Sequence, residues 1–333
     1  MTPTAPYEAA PLLVATAADE RYVLGACVAL ASAAACLRGR PAEIVILDCG
    51  IRPQTQAAIQ RASRQWTNVA TMRFLQVPMR QISRFPTPEH FSTAAYARLL
   101  LPDLPPGADL LLYLDADVLV RDDVGRLLDG VPADSPIAAV VDFTHPTMAE
   151  GLVGPGHPAD TGVLMLRLAQ WRKDEVGRRA LAWLDDNTEH VRYADQDAIN
   201  AVLGGQVHRI EARWNVQTRP FHEMLRNRHD ARRAATGIRA PRVLNRDAGI
   251  VHFVGGKPWI GTDLHANFLS FDASRLWWVT LRSTRVLSRL DYIRLAGRAA
   301  GRFLLYAQRA WGPRAQARTL RDAWRSLRSA ETR

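Results

Sequence analysis

Through the first third of the chain, short apolar runs of strand length alternate with longer stretches of helical character. Residues 11–17 (PLLVATA) form a continuous apolar run, and residues 22–37 follow with small, uncharged side chains that predict a buried, Ala-rich helix. Residues 43–48 (EIVILD) predict a second strand, residues 53–66 a helix opened by Pro53, and residues 72–77 a third strand. Residues 92–101 read as an amphipathic helix, the Pro/Gly cluster LPDLPPGAD as a loop, and residues 110–114 (LLLYL) as a strand of the buried parallel type. This βαβα order predicts an α/β fold with a doubly wound, mostly parallel sheet flanked by helices. Ligands of such sheets lie outside the carboxyl ends of the strands, at a topological switch point.

That rule directs attention to the residues that follow each strand. Asp19 and Glu20 follow the first, Asp48 the second, and Asp115 with Asp117 the LLLYL run. The last pair is the sharpest signal: in YLDADVLV two carboxylates leave an apolar strand at its ligand-binding end. Hard divalent cations prefer oxygen ligands, and one or two carboxylates together with substrate phosphates are their usual setting. A turn or helix-capping pair leading into residues 122–129 is the structural alternative for Asp115 and Asp117, weakened by the apolar flanks.

Composition narrows the class. With 333 residues, the chain exceeds a common single domain of roughly 100–200, leaving room for a large α/β domain and an appendage. Hydrophobic residues at 47% and charged residues at 23% exclude disordered, collagenous and coiled-coil chains. The net charge of +10 is unevenly spread: residues 282–333 carry 13 Arg against three acids, leaving 30 basic and 30 acidic residues in 1–281. A neutral body with a basic tail suits an anionic surface touched at one end and speaks against nucleic acid, whose domains carry a basic face on the folded part. An Arg-rich composition with few Lys is the bland alternative. Cys27, Cys36 and Cys49 lack disulfide or zinc spacing and fit a reducing cytosol. The uncharged segment 22–37 is shorter than the roughly 20 residues that span a bilayer, and it follows Asp19 and Glu20 where a signal peptide would have a basic segment.

At YLDADVLV the chain resembles glycosyltransferase family 8, the retaining enzymes of the GT-A fold. Further matches follow in family order: ATAADERY with CVALAS, EIVILDCGI, FSTAAYARLLLPDLPP, DTGVLMLRLAQWR, YADQDAIN, the RWN of Arg213 to Asn215, and VHFVGGKPW. Together they cover roughly residues 12–260. The resemblance implies a Rossmann-like, mixed but mostly parallel sheet in a catalytic domain of residues 1–281, and metal ligation by Asp115, Asp117 and His252. Imidazole is a competent third ligand beside two carboxylates, although a lone His in an apolar strand is more often a core residue. Manganese is the implied ion, with magnesium as the alternative.

The same resemblance implies a UDP-sugar donor contacted by Ala17, Asp19, Arg21, Arg98, Asp115, Ala116, Asp160, Thr161, Gly255 and Lys257. It places Asp195 and Gln196 as catalytic residues in the sugar pocket, with helix capping as the competing role for Asp195. Lys257 follows a Gly-Gly turn, where a point charge suits the donor diphosphate and Gly255 lets the backbone approach closely. Asp160, Thr161 and Gly162 are expected in the turn before VLMLRL. Two departures bear on the donor: Asp160 stands where the family usually has Asn, and Arg21 where it often has Asn. An ionised Asp accepts hydrogen bonds and donates none. The implied reaction transfers a hexose, galactose or glucose, to a hydroxyl of a saccharide or glycolipid acceptor in cell-surface polysaccharide or lipopolysaccharide synthesis. Metal and Lys257 would neutralise charge on the leaving diphosphate. Same-face attack and a covalent intermediate both stay open as routes to retention.

In the tail, Leu287, Leu290, Ile293, Ala296, Ala300, Phe303, Ala307 and Ala310 recur as a helical stripe, with Arg294, Arg298 and Arg302 on another face. Leu320, Trp324 and Leu327 repeat the pattern. A basic amphipathic tail over 282–333 predicts attachment to an anionic membrane surface, hence a cytoplasmic protein stationed peripherally at the inner face; packing on the body is the alternative. Two other classes compete for the whole chain: a haloacid-dehalogenase-like phosphatase with Asp115 as nucleophile, and a non-catalytic membrane-surface protein.

Overall fold

The computed structural model describes residues 10–87, 91–103, 109–128, 131–142, 158–218, 247–260 and 271–310. The first five elements follow the expected order: β1 (Leu12–Ala18), α1 (Val23–Cys36), β2 (Ala42–Asp48), α2 (Pro53–Ser63) and β3 (Val69–Gln76). Then come β4 (Leu110–Leu114), β5 (Val118–Val120), β6 (Ile137–Val141) and β7 (Ala159–Arg167), followed by α3 (Leu168–Lys173), α4 (Val176–Asp186) and α5 (Asp195–Leu203). The short strands β8 (His208–Arg209), β9 (Val216–Gln217) and β10 (Ile250–His252) precede two C-terminal helices, α6 (Phe271–Thr284) and α7 (Arg289–Ala310).

The strands form a seven-stranded sheet in the order β3-β2-β1-β4-β7-β6-β8 and a three-stranded sheet in the order β5-β10-β9. In the large sheet only β7 runs against its neighbours, so β4 pairs in parallel with β1 and antiparallel with β7. The sheet is thus mixed and mostly parallel, and LLLYL is buried because both its edges and both its faces are covered. Alternate side chains of β1 and β4 enter two separate cores. Leu12, Val14, Leu112 and Leu114 join α1 on one face, while Leu13, Ala15, Leu111 and Tyr113 meet α4 and α5 on the other. Truncating a buried leucine such as Leu112 to Ala would cost roughly 2–5 kcal/mol.

Helix α1 is apolar all round because the two sheets enclose it. Ser32 Oγ accepts from Val120 N of β5 at 3.1 Å and donates to Ala29 O at 3.0 Å. A Cβ on Gly25 would collide with the Ala116 carbonyl and the Trp259 ring, so this glycine lets α1 lie directly under the Asp115–Asp117 segment.

Some sequence expectations are corrected here. The segment expected as an amphipathic α-helix over 92–101 is a 3-10 helix, Thr93–Asp103. Tyr96 through Leu99 are consecutively buried, which no single-faced helix allows, because Arg98 turns inward to partners on other elements. Helix α2 ends at Ser63, and Trp66 instead donates its indole N–H to Thr284 O at 2.9 Å.

The boundary expected between residues 281 and 282 falls inside α6. Trp277 and Leu281 of this helix are buried against Val28, Leu119, Phe253 and Trp259. In α7, Tyr292 and Leu295 pack on that cluster and Ala299 is buried, whereas Leu290 and Ile293 of the expected stripe are 56% and 55% exposed. The second segment, Leu320, Trp324 and Leu327, lies outside the described residues.

Candidate active site

The winding reverses between β1 and β4, with β2 and β3 on one side and β7 and β6 on the other, so the switch point lies where expected. The chain leaves the large sheet at Leu114 and enters the small one at Val118, and Asp115-Ala116-Asp117 is the crossing. Register then fixes the neighbours. Leu114 pairs with Val163, and Asp115 N donates to Gly162 O at 2.8 Å. His252 pairs with Val118 on one side and Gln217 on the other, and Phe253 N donates to Asp117 O at 2.9 Å.

These pairings bring together two carboxylates and an imidazole that are separated by more than a hundred positions in sequence. Ligand atoms of Asp115, Asp117 and His252 all lie within 4.8 Å of one another. His252 Nε2 is 3.3 Å from Asp117 Oδ1 and 3.9 Å from Asp115 Oδ2. Burial works to raise the Asp117 carboxyl, but Lys257 and His252 outweigh it and hold it well below the usual carboxylate range. Burial likewise opposes protonation of His252, yet Asp117, Asp160 and Asp115 raise it to about 9. Two oxygens and one nitrogen facing one small volume fit a hard or borderline divalent cation. Lys257 Nζ bonds Asp117 Oδ2 and donates to Phe253 O at 2.9 Å, while Gly255 takes a φ of +88° in the turn before it.

Arg98 joins this group to the expected sugar pocket. Its guanidinium is buried, donates to Asp115 Oδ1 at 2.7 Å and to Thr161 O, and lies 2.8 Å from Asp195 Oδ2 through Nε. Burial works to lower its pKa, but Asp115 and Asp195 raise it further, so it is a permanent cation. Burial pushes the Asp195 carboxyl up to about 7 against the pull of Arg98. Asp195 is the first residue of α5, and the N-cap is Ala194, whose φ of +52° lies in the region that favours glycine. Asp195 therefore does not cap α5, whose N-cap makes no side-chain hydrogen bond, and Asp197 Oδ2 ties down the preceding segment by accepting from Arg192 N and Tyr193 N, each at 2.7 Å. Gln196 is held at both ends, its Oε1 accepting from Thr161 N at 3.1 Å and its Nε2 donating to Asp142 Oδ2 at 3.0 Å.

Asp160, Thr161 and Gly162 are not in a turn but inside β7, which begins at Ala159. Strand pairing holds them there: Ala159 pairs with Val141, and Asn200 bonds both backbone groups of Ala159. Asp160 accepts from Gly162 N at 2.8 Å, Asn215 Nδ2 at 2.6 Å and Gln217 Nε2. Burial raises its carboxyl, with Asp142 adding to the shift, against the opposing influence of His252 and these donors.

The remaining expected residues lie at or just after the carboxyl end of β1. Ala17 is buried near the end of β1, and Asp19 uses Oδ1 to accept from Arg21 N and Tyr22 N and Oδ2 to accept from Ser92 Oγ at 2.6 Å. Arg21 is exposed, and its carbonyl accepts from Trp259 Nε1 at 3.1 Å. Three residues that sequence reasoning left without a role belong to the cluster: Asp142, Asn215 and Gln217. Asp142 carries the strand-end signal used elsewhere, following the apolar IAAVV of β6, and Asn215 closes the RWN motif.

A switch point that combines a carboxylate pair, an imidazole, a lysine on a glycine turn and a buried arginine has the groups to bind an anionic ligand together with a divalent cation at the end of a mixed, mostly parallel sheet. Comparison with known proteins agrees. The family described as glycosyl transferase family 8 matches residues 13–263, and the chain belongs to that family. It is a glycosyltransferase.

General stress protein A of Bacillus subtilis is 27% identical over 68% of this chain and 79% of its own. The lipopolysaccharide 1,2-glucosyltransferase of Escherichia coli is 26% identical over 45% of this chain and 44% of its own, so that alignment spans less than half of the relative. Among solved structures, the galactosyltransferase LgtC in complex with donor and acceptor sugar analogues superposes with a TM-score of 0.69 at 25% identity, covering 84% of this chain and 98% of that one. The phosphatase alternative falls with this assignment: β4 is the fourth strand in chain order, and Asp115 is ion-paired to Arg98 instead of standing free as a nucleophile. The non-catalytic alternative falls with it too.

Proposed function

We propose that this chain transfers a hexose, galactose or glucose, from a UDP-sugar to a hydroxyl of a saccharide or glycolipid acceptor in lipopolysaccharide or cell-surface polysaccharide synthesis, with retention of configuration. The observation that carries the reading is the convergence of Asp115, Asp117 and His252 within 4.8 Å, with Lys257 on Asp117. These three residues would hold manganese, with magnesium as the second choice. The bound ion would supply Lewis-acid neutralisation of the charge that develops on the leaving diphosphate.

The chain's own groups do the rest. Lys257 offers ammonium donors to diphosphate oxygens, and its present partner Asp117 keeps it in place until they arrive. Arg98 orients Asp115 and Asp195 together, so the metal side and the sugar side of the cleft share one rigid cation. Asp195 and Gln196 face the sugar as hydrogen-bonding groups, and Asp160 presents an acceptor where an amide would also donate. The carboxylates Asp142, Asp160 and Asp195 suit neutral sugar hydroxyls and disfavour an acidic sugar. Calorimetric binding of a UDP-sugar panel, with and without manganese, on wild type and Asp117→Ala tests the reading. One sugar bound only with metal, and lost in the variant, is the expected result; binding independent of metal and of Asp117 refutes it.

The second half of the proposal concerns the tail. The exposed Leu290 and Ile293, flanked by exposed Arg289, Arg294 and Arg298, favour peripheral attachment through residues 282–333 to an anionic membrane at the cytoplasmic face. No helix among the described residues is long and apolar enough to cross a membrane. Vesicles containing anionic lipid should sediment the wild-type chain and release most of the Leu290→Glu/Ile293→Glu variant. Equal sedimentation of both would remove α7 from the membrane surface.

A further inference from the structure

The imidazole of His252 is gripped on the side away from Asp115 and Asp117. Its Nδ1 lies 3.0 Å from Asn215 Oδ1, and the same amide donates through Nδ2 to Asp160 Oδ1 at 2.6 Å. An amide whose nitrogen is held by a carboxylate presents its oxygen in the opposite direction, so Asn215 Oδ1 accepts and Nδ1 of His252 carries the proton. Gln217 Nε2 and Gly162 N also donate to Asp160, which prevents that carboxylate from turning away. Gly162 closes the cage: a Cβ there would collide with the His252 ring. All three polar residues are buried or nearly so, and the strand register of β9 and β10 sets their spacing.

We propose that Asn215 is the positioning residue of the metal site: together with Asp160 it locks the His252 ring so that the Nε2 lone pair points between Asp115 and Asp117. The inference rests on the metal reading above and adds to it a role for Asn215, which that reading leaves unused, and a second task for Asp160. A ligating histidine gains orientation and basicity when its other nitrogen donates to a fixed oxygen, and loss of such a partner weakens metal affinity by about 10–100-fold. Here the oxygen belongs to a neutral amide, and the carboxylate that fixes it stands one residue further back.

The test is Mn2+ binding to the full chain without donor, read by the loss of the free-ion electron paramagnetic resonance signal. Asn215→Ala should weaken binding by about 10–100-fold. Asn215→Asp alone sets two carboxylates against each other and should weaken it to a similar degree. The exchanged pair Asp160→Asn/Asn215→Asp restores an acceptor for His252 Nδ1 and a donor to that acceptor, while giving up the bond that Asp160 Oδ1 accepts from Gly162 N, and should bind Mn2+ several-fold or more tightly than Asn215→Asp alone. A purely structural role for Asn215 would not produce that rescue. Wild type and Asn215→Ala binding Mn2+ equally would overturn the proposal alone. A wild-type chain that binds no Mn2+ would overturn it together with the metal reading. Failure of the exchanged pair to regain affinity while its thermal unfolding matches wild type would also overturn it.

Discussion

Two strand ends in this molecule carry the same sequence signal and came to different uses. Asp48 follows the apolar EIVILD of β2, and Asp115 with Asp117 follows the LLLYL of β4. The Asp48 carboxylate is consumed locally: Oδ1 accepts from Gly50 N at 2.9 Å and Ile51 N at 2.7 Å, and Oδ2 accepts from Gln56 at 2.7 Å. It shapes the turn into α2. Asp115 and Asp117 instead meet Arg98, His252 and Lys257, which arrive from a 3-10 segment, from β10 and from the turn after it. A carboxylate at the end of a buried strand is thus a candidate only; convergence of partners distant in sequence makes it a site. Glu20 repeats the lesson, since its oxygens are taken by Arg52 and Thr55.

The comparison predicts opposite phenotypes. Asp117→Ala removes a proposed metal ligand and the partner of Lys257, and should lower kcat/KM for sugar transfer by about a thousandfold or more while the chain stays folded. A radiolabelled sugar-transfer assay, with circular dichroism as the folding control, decides it; activity within tenfold of wild type would place Asp117 with Asp48 among structural residues.

Gly162→Ala forces a methyl against the His252 ring and should destabilise the fold by roughly 1–3 kcal/mol, seen as a lower urea midpoint, and weaken Mn2+ binding as well. Unchanged values for both would mean that the cage around His252 is loose.

A third change sharpens the contrast through pH. The folded chain holds the Asp195 proton more tightly than the unfolded chain does, because burial raises this carboxyl to about 7. The stability it contributes is present at acid pH and is lost as pH rises from the ordinary carboxylate range through about 7. Asp195→Asn should therefore show a flatter stability profile than wild type across that window in urea titrations. Parallel profiles would mean that Arg98 cancels the burial penalty completely. Smallest of all, Asp48→Ala should cost about 1–2 kcal/mol in unfolding free energy, with sugar transfer changed less than twofold. A large loss of transfer there would erase the distinction between the two strand ends.

Much of the fold was legible because its signals are local. An apolar run of five to seven residues in βαβα order is a buried strand whatever surrounds it, and a small-residue stretch such as α1 is a helix that two layers can enclose. Arg98 shows where local reading stops. On an amphipathic pattern it belongs on a solvated face, and only its buried partners Asp115 and Asp195 explain why its side chain turns inward. Asp160 shows the same limit. Its residue type suggests a turn, but the pairing of Ala159 with Val141 and the donors Asn215 and Gln217 hold it in a strand.

The sequence by itself determined the layer architecture, the strand that carries the acidic pair, the order of the family motifs and the residue types of the Asp-Asp-His cluster. Each of these depends on neighbours along the chain or on a motif that can be matched in place. Tertiary structure alone decided which carboxylates are free to work. It seated His252 opposite Val118, fitted Gly162 against its ring, and set Asn215 between His252 and Asp160. The reason is that hydrogen-bond partners separated by tens to hundreds of residues are selected by strand register and burial, and neither is written in the spacing of residues along one strand.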